Sequence, residues 1–186
     1  MPGERDVVVL VGSLRRESLT RKAVHALAGL APAGLKLEIV EIGELALYNE
    51  DLEGASLPAS WRAFRDRVRR ADAVLFATPE YNRSVPGVLK NAIDVGSRPY
   101  GQSAWDKKPA AVISISPGGI GGFGANHHLR QSLVFLNMPA MQQPEAYVGH
   151  AATLFADGGG AFEEARGFLT AFMAAFSQWI ETVAPR

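Results

Sequence analysis

Val7-Val8-Val9-Leu10-Val11-Gly12-Ser13-Leu14-Arg15-Arg16-Glu17-Ser18-Leu19-Thr20 passes from an apolar run to a polar loop within fourteen residues. Five apolar, mostly β-branched residues in a row describe a strand buried on both faces, as strands of a parallel sheet are. The run stops at a glycine and a set of hydroxyl and charged residues. Leu19, Ala23, Ala26, Leu27 and Leu30 then share one helical face before Pro32 ends the pattern. Strand, polar loop and amphipathic helix in that order open a βαβ unit.

The unit recurs along the chain. Leu37 to Glu41 alternates, which places a second strand at an edge, while Ala73 to Ala77 and Ala110 to Ile115 read as third and fourth buried strands. A weaker fifth lies at Ala140 to Gln143 or at Ala146 to Val148. Between them run helical stripes: Trp61, Phe64 and Val68 after Pro58; Val88, Leu89, Ala92, Ile93 and Val95 after Pro86; and Leu129, Leu133 and Leu136. A last helix from about Phe162 to Val183 buries Leu169, Phe172, Phe176, Trp179 and Ile180, aromatics that read as core. Strands alternating with helices predict an α/β three-layer sandwich around a five-stranded parallel sheet of order 2-1-3-4-5. Residues 1–186 are expected to form a single domain. In this topology ligands sit outside the carboxyl ends of the strands, near the switch between strands one and three.

Composition narrows the class. The 186 residues are 47% hydrophobic and 20% charged, ordinary for a globular chain, and include no cysteine. Disulfides, thiolate nucleophiles and cysteine metal sites are thereby excluded, and a reducing, cytoplasmic setting is expected. Nineteen basic against nineteen acidic residues give no net charge, which disfavours nucleic acid as a partner. No apolar run approaches the ~20 residues of a membrane span, so no membrane partner is expected. The polar stretch Met1 to Asp6 does not read as a secretory signal. Arg62, Arg65, Arg67, Arg69 and Arg70 crowd one stretch and read as a solvated helix face.

Three loops then carry the chemistry. In the first, Gly12, Ser13, Arg15, Ser18 and Thr20 surround a helix N-terminus whose N–H groups have no helical acceptor, a ready place for a phosphate. Ser18 or Thr20 alone could equally be a helix cap. The pattern lacks G-x-x-x-x-G-K-[ST], so a P-loop nucleotidase is not indicated. The loop after strand three, Thr78-Pro79-Glu80-Tyr81-Asn82-Arg83-Ser84-Val85-Pro86-Gly87, is stiffened by prolines and carries an aromatic ring. It suits the wall of a flat ligand and, on spacing alone, equally a structured turn with a surface tyrosine. The loop after strand four, Ser114 to Gly124, is glycine-rich, so backbone can approach a ligand closely.

The pairing of Gly12-Ser13-Leu14-Arg15…Ser18 with Thr78-Pro79-Glu80-Tyr81-Asn82…Pro86-Gly87…Leu89-Lys90-Asn91-Ala92-Ile93-Asp94 closely resembles the NADPH-dependent FMN reductase family. Within it the chain is similar to the branch of bacterial quinone, chromate and azo-dye reductases. The resemblance implies a flavodoxin-like fold, noncovalent FMN, NAD(P)H as cosubstrate, and a homodimer or homotetramer with the flavin near a subunit boundary. By matching positions Ser13, Arg15, Ser18, Leu19 and Thr20 would hold the phosphate end. Thr20 departs from the asparagine often found there. Pro79, Glu80, Tyr81 and Asn82 would line the isoalloxazine, and Ser116, Pro117, Gly118 and Gly119 would pass its pyrimidine edge. Arg83 is expected to be a contact for the incoming dinucleotide. A hydride would pass from NAD(P)H through flavin N5 to a quinone, chromate, an azo dye, a ferric complex or free flavin, by a ping-pong mechanism with no obligate catalytic side chain. The alternative is an FMN-binding electron carrier without a nicotinamide site; carriers of that kind are strongly acidic, and this chain is neutral.

Two motifs are decoys on this reading. Gly119-Ile120-Gly121-Gly122-Phe123-Gly124 satisfies G-x-G-x-x-G, with Glu145 near the ribose-reader spacing, but too little chain follows to complete a dinucleotide-binding half. His127 and His128 are adjacent, so a helix would point them apart and no metal chelate results.

Overall fold

A computed structural model describes residues 4–155 and 160–183 of the chain; Met1, Pro2 and Gly3 of the polar leading stretch lie outside them. Its elements alternate as β1 (Arg5–Val11), α1 (Leu19–Leu30), β2 (Leu35–Ile39), α2 (Ala59–Arg70), β3 (Ala73–Thr78), α3 (Gly87–Gly96), β4 (Ala110–Ile115), α4 (Phe123–Phe135), β5 (Ala146–Val148), α5 (Ala151–Leu154) and α6 (Gly160–Val183). The strands form one sheet in the order β2-β1-β3-β4-β5, and every neighbouring pair is parallel. This is the flavodoxin-like arrangement.

The period of two along β1 divides the core. Val7, Val9 and Val11 face α1 and α6, meeting Ala23, Val24 and Leu27 on one side and Leu169, Phe172, Met173, Phe176 and Ile180 on the other. Val8 and Leu10 face the opposite layer, where Trp61, Phe64 and Val68 of α2 join Leu89, Ile93, Leu129 and Leu133. Burial on both faces is why β1, β3 and β4 read as unbroken apolar runs.

β2 begins two residues earlier than its alternation suggested. Arg5 pairs with Leu35 and Val9 with Ile39, so Leu35, Leu37 and Ile39 pack on the α1–α6 layer while Lys36 and Glu38 face outward. The fifth strand is Ala146–Val148, and the rival stretch also touches β4, through an isolated parallel bridge from Ala140 to Ala110.

The arginine-rich stretch departs from the solvated face expected of it. Arg65 is buried in α2: its Nε donates to Val95 O at 2.8 Å and its two Nη groups grip Glu53 at 3.1 and 2.5 Å. Arg67 bridges Asp6 and Glu38, holding the Glu38 carboxyl below its ordinary value. Arg62 and Arg70 remain exposed, as expected. Among the described residues no helix is long and apolar enough to cross a membrane.

Candidate functional site

The three loops gather at the carboxyl ends of β1, β3 and β4. Gly12 extends the ladder past β1, its N–H donating to Ala77 O at 2.8 Å. A Cβ there would lie 3.1 Å from Pro79 Cδ and 3.2 Å from Leu89 Cδ2, so glycine lets the first loop lie directly on the third-strand loop.

Ser13 is buried and its Oγ accepts from the Arg15 N–H at 3.4 Å. Ser18 caps α1, its Oγ accepting from the Arg21 N–H at 3.1 Å. The cap leaves the N–H groups of Leu19 and Thr20, first in the helix, without an acceptor among the described residues. Leu19 packs its side chain on the core, so it offers backbone to a ligand, while Thr20 is buried beside it with no hydrogen-bond partner for its hydroxyl among the described residues. Arg15 is exposed and its guanidinium has no partner among the described residues. Ser18→Ala is accordingly expected to lower folding stability by about 0.5–2 kcal/mol through the lost cap. Chemical denaturation of the protein without added ligand checks this, and an unchanged midpoint would make the serine's contact purely one to a ligand.

The third-strand loop closes on itself. Tyr81 and Ser84 exchange backbone hydrogen bonds of 3.1 and 3.0 Å around Asn82 and Arg83, which hold φ of +51° and +64°. Positive φ at both central positions is the type I′ turn; asparagine tolerates it, whereas an arginine there stores backbone strain of order 1 kcal/mol or more. Glu80 does not leave its carboxylate free. Oε2 accepts the Ala125 N–H at 3.0 Å and Oε1 accepts from Arg83 Nη1 at 3.3 Å.

A cleft of about 370 Å³ lies where the two loops meet, lined by Gly12, Leu14, Arg15, Tyr81, Pro86, Gly87 and Val88. It brings together Gly12, Arg15 and Tyr81 of the residues singled out from sequence. Leu14, Pro86, Gly87 and Val88 were not singled out as site residues; Leu14 is an exposed leucine inside the first loop. The other candidates flank the cleft's elements without lining it. Pro79 braces Gly12, Asn82 is exposed at the turn, and Ser116 accepts the Gly118 N–H at 3.1 Å beside exposed Pro117, Gly118 and Gly119. A larger cavity of about 880 Å³, between Lys107, Arg130, Pro139 and Trp179, lies near the start of β4, away from these loops.

The glycine run has its own explanation. Gly121 and Gly122 take φ of +68° and +77°, with Tyr147 and Ser114 close enough to exclude larger side chains. At Gly124 a Cβ would meet Arg83 O at 2.8 Å and Glu80 Oε2 at 3.0 Å. The N-terminus of α4, which a pyrophosphate would need, is thus filled by the protein's own carboxylate. His127 and His128 also have local partners, Tyr147 Oη and Ser84 Oγ, each at 3.0 Å. Burial, with the Glu145 hydrogen bond and charge behind it, pushes the Tyr147 hydroxyl up to about 12.

A doubly wound sheet with an open helix N-terminus and a partly apolar, partly cationic cleft at its switch point places this chain among α/β proteins that bind a ligand at the carboxyl ends of their strands. Residues 5–153 match the family model described as NADPH-dependent FMN reductase, and the chain belongs to that family. It is 65% identical over 175 residues to a quinone reductase of Pseudomonas putida, covering 94% of both chains. It is 45% identical to the 2-hydroxy-1,4-benzoquinone reductase of a Burkholderia species, covering 94% of this chain and 95% of that one. The solved structure of FerB, a flavoenzyme NAD(P)H:(acceptor) oxidoreductase from Paracoccus denitrificans, superposes with a TM-score of 0.91 at 44% identity, covering 97% of this chain and all of that one. The chain is therefore an oxidoreductase that uses FMN and NAD(P)H, and the electron-carrier alternative is set aside.

The cleft fits the cofactor on its own terms. Gly12 lines it and lets the first loop lie against Pro79 and Leu89, Arg15 offers an unpaired cation, and Leu14 and Tyr81 offer half-exposed apolar surface.

Proposed function

We propose that this chain, as a single domain over residues 1–186, uses bound FMN to pass a hydride from NAD(P)H to a quinone or a similar small acceptor. The observation that carries the reading is the shared cleft: an unpaired Arg15 and an exposed Tyr81 on opposite loops of one wall. The names of the Pseudomonas and Burkholderia relatives favour quinones over chromate, azo dyes, ferric complexes or free flavin as acceptor.

FMN, when bound, supplies hydride acceptance and return at its N5. Ser13, Arg15, Ser18 and the N–H groups of Leu19 and Thr20 hold the phosphate. Pro79, Tyr81 and Asn82 present the wall of the ring, Ser116 to Gly119 its polar edge, and Arg83 a cation for the dinucleotide. Reductant and acceptor use one open face in turn, which gives ping-pong kinetics and needs no obligate acid or base from the protein. The exposed Tyr100, Val134 and Phe135, beside the end of α3 and on α4, offer apolar surface for a homodimer or homotetramer. A cytoplasmic location completes the proposal.

Steady-state rates with NADH and NADPH against a benzoquinone, on FMN-loaded protein, test it. Parallel double-reciprocal lines are expected. Flavin that stays oxidised with both nucleotides would overturn the hydride route, and intersecting lines would overturn the shared face.

A further inference from the structure

The turn that lines the cleft is fastened to α4 at two points by groups on either side of its strained pair. Before it, Glu80 sends a carboxylate, 11% exposed, to the first turn of α4, where it accepts the Ala125 N–H and a contact from Arg83. After it, Ser84 Oγ meets His128 Nδ1 one helical turn farther along. A negative charge at a helix N-terminus, hydrogen-bonded to an otherwise unsatisfied N–H, is favoured twice over. Left-handed φ at Asn82 and Arg83 persists only where the surroundings hold it.

We infer that Glu80 is a positioning residue: by occupying the N-terminus of α4 with its carboxylate it fixes the Tyr81–Ser84 turn against the cleft, and it does so without touching the ring. This rests on the reading that the cleft takes FMN. It gives Glu80 a different task from its neighbours in the Pro79-Glu80-Tyr81-Asn82 motif. It also accounts for Gly124, because the carboxylate and the Arg83 carbonyl both press on that position. Hydride transfer depends steeply on how the ring wall is placed, since misplacement of about 1 Å from a remote substitution can cost on the order of 100-fold in rate.

Three variants of the FMN-loaded protein test this: Glu80→Ala, Glu80→Gln and Gly124→Ala. Glutamine keeps an acceptor for the Ala125 N–H, and Gly124→Ala forces the clamp open with the carboxylate still present. The readout is the stopped-flow rate of flavin bleaching by NADPH, normalised to bound FMN, beside the thermal midpoint. Glu80→Ala and Gly124→Ala are expected to slow bleaching by roughly 10- to 100-fold, with Glu80→Gln recovering most of the rate. A lower midpoint with an unchanged rate per bound flavin in Glu80→Ala would reduce Glu80 to a helix cap and overturn the inference. If Glu80→Ala does not fold, an unchanged rate in Gly124→Ala overturns it instead. Failure of the underlying reading is separate: the unsubstituted protein would then bind no FMN or fail to bleach.

Discussion

Replacing Arg65 with methionine is expected to remove about 3–5 kcal/mol of folding stability, as breaking one side of a buried ion pair does. The guanidinium side chain is 3% exposed and its partner Glu53 is 19% exposed, so both charges have left most of their water. Three hydrogen bonds compensate: two to Glu53 and one to Val95 O in α3, with the guanidinium 5.6 Å from the Trp61 ring. Methionine keeps an apolar stem on Trp61 but strands the Glu53 carboxylate and leaves the Val95 carbonyl only the 3.4 Å hydrogen bond from the Arg98 N–H. Urea denaturation measures the cost, and Glu53→Gln in the Arg65→Met background should restore part of it by removing the orphaned charge. Arg69→Met, which breaks an exposed pair with Asp66, is expected to change stability by less than about 1 kcal/mol. A loss of that size at Arg65 as well would mean the buried pair is worth no more than a surface one.

Arg65 also shows where the sequence stops being legible. Its neighbours Arg62, Arg67, Arg69 and Arg70 form a run whose composition looks uniformly solvated. Nothing local says that one of the five faces Glu53, which lies on a connection outside any helix or strand. Patterns that depend on a residue's own neighbours fared better: the buried runs of β1, β3 and β4 and the stripes of α1, α3 and α6 appear where their periodicity put them. β2 slipped because an edge strand is apolar on one face only, so Leu35 could be added and Glu41 lost without changing the alternation. Of the two rivals for the fifth strand, Ala146 to Val148 is the strand, while Ala140 to Gln143 touches the start of β4 only through the single bridge at Ala140.

The site was legible at the level of loops and less so at the level of side chains. Polar and glycine-rich segments after β1, β3 and β4 stood out because helix N-termini and close backbone approaches need those residue types. The direction of Glu80 did not stand out: in sequence it belongs to a ring-lining motif, and only the packing of α4 turns it elsewhere. Leu14 escaped for the opposite reason, because an apolar side chain in a loop carries no chemistry of its own until a second loop faces it, and Val88 because it reads as part of the helical stripe of α3.

Arg15→Ala is expected to weaken FMN binding by about 1.5–3 kcal/mol, the usual worth of a hydrogen bond to a charged group, or roughly 10- to 150-fold in Kd. The substitution is unusually easy to interpret. Arg15 is exposed and has no ion-pair partner among the described residues, so removing it should leave folding stability within about 0.5 kcal/mol. Any lost affinity then belongs to the bound state and not to a damaged loop. Ser18 does not share this property, because it also caps α1. Fluorescence titration of the apoprotein with FMN gives the affinity, and titration with riboflavin, which lacks the phosphate, supplies the second arm. If Arg15 holds the phosphate, Arg15→Ala should weaken FMN and leave riboflavin unaffected. Equal weakening of both would move the guanidinium to the ring, where it shares the cleft with Tyr81. No change in either would return Arg15 to solvent and leave the phosphate to Ser13 and the open N–H groups of α1. Arg70→Ala, a comparable exposed cation at the end of α2, is expected to leave both titrations unchanged, which separates a seated phosphate from a general loss of positive charge.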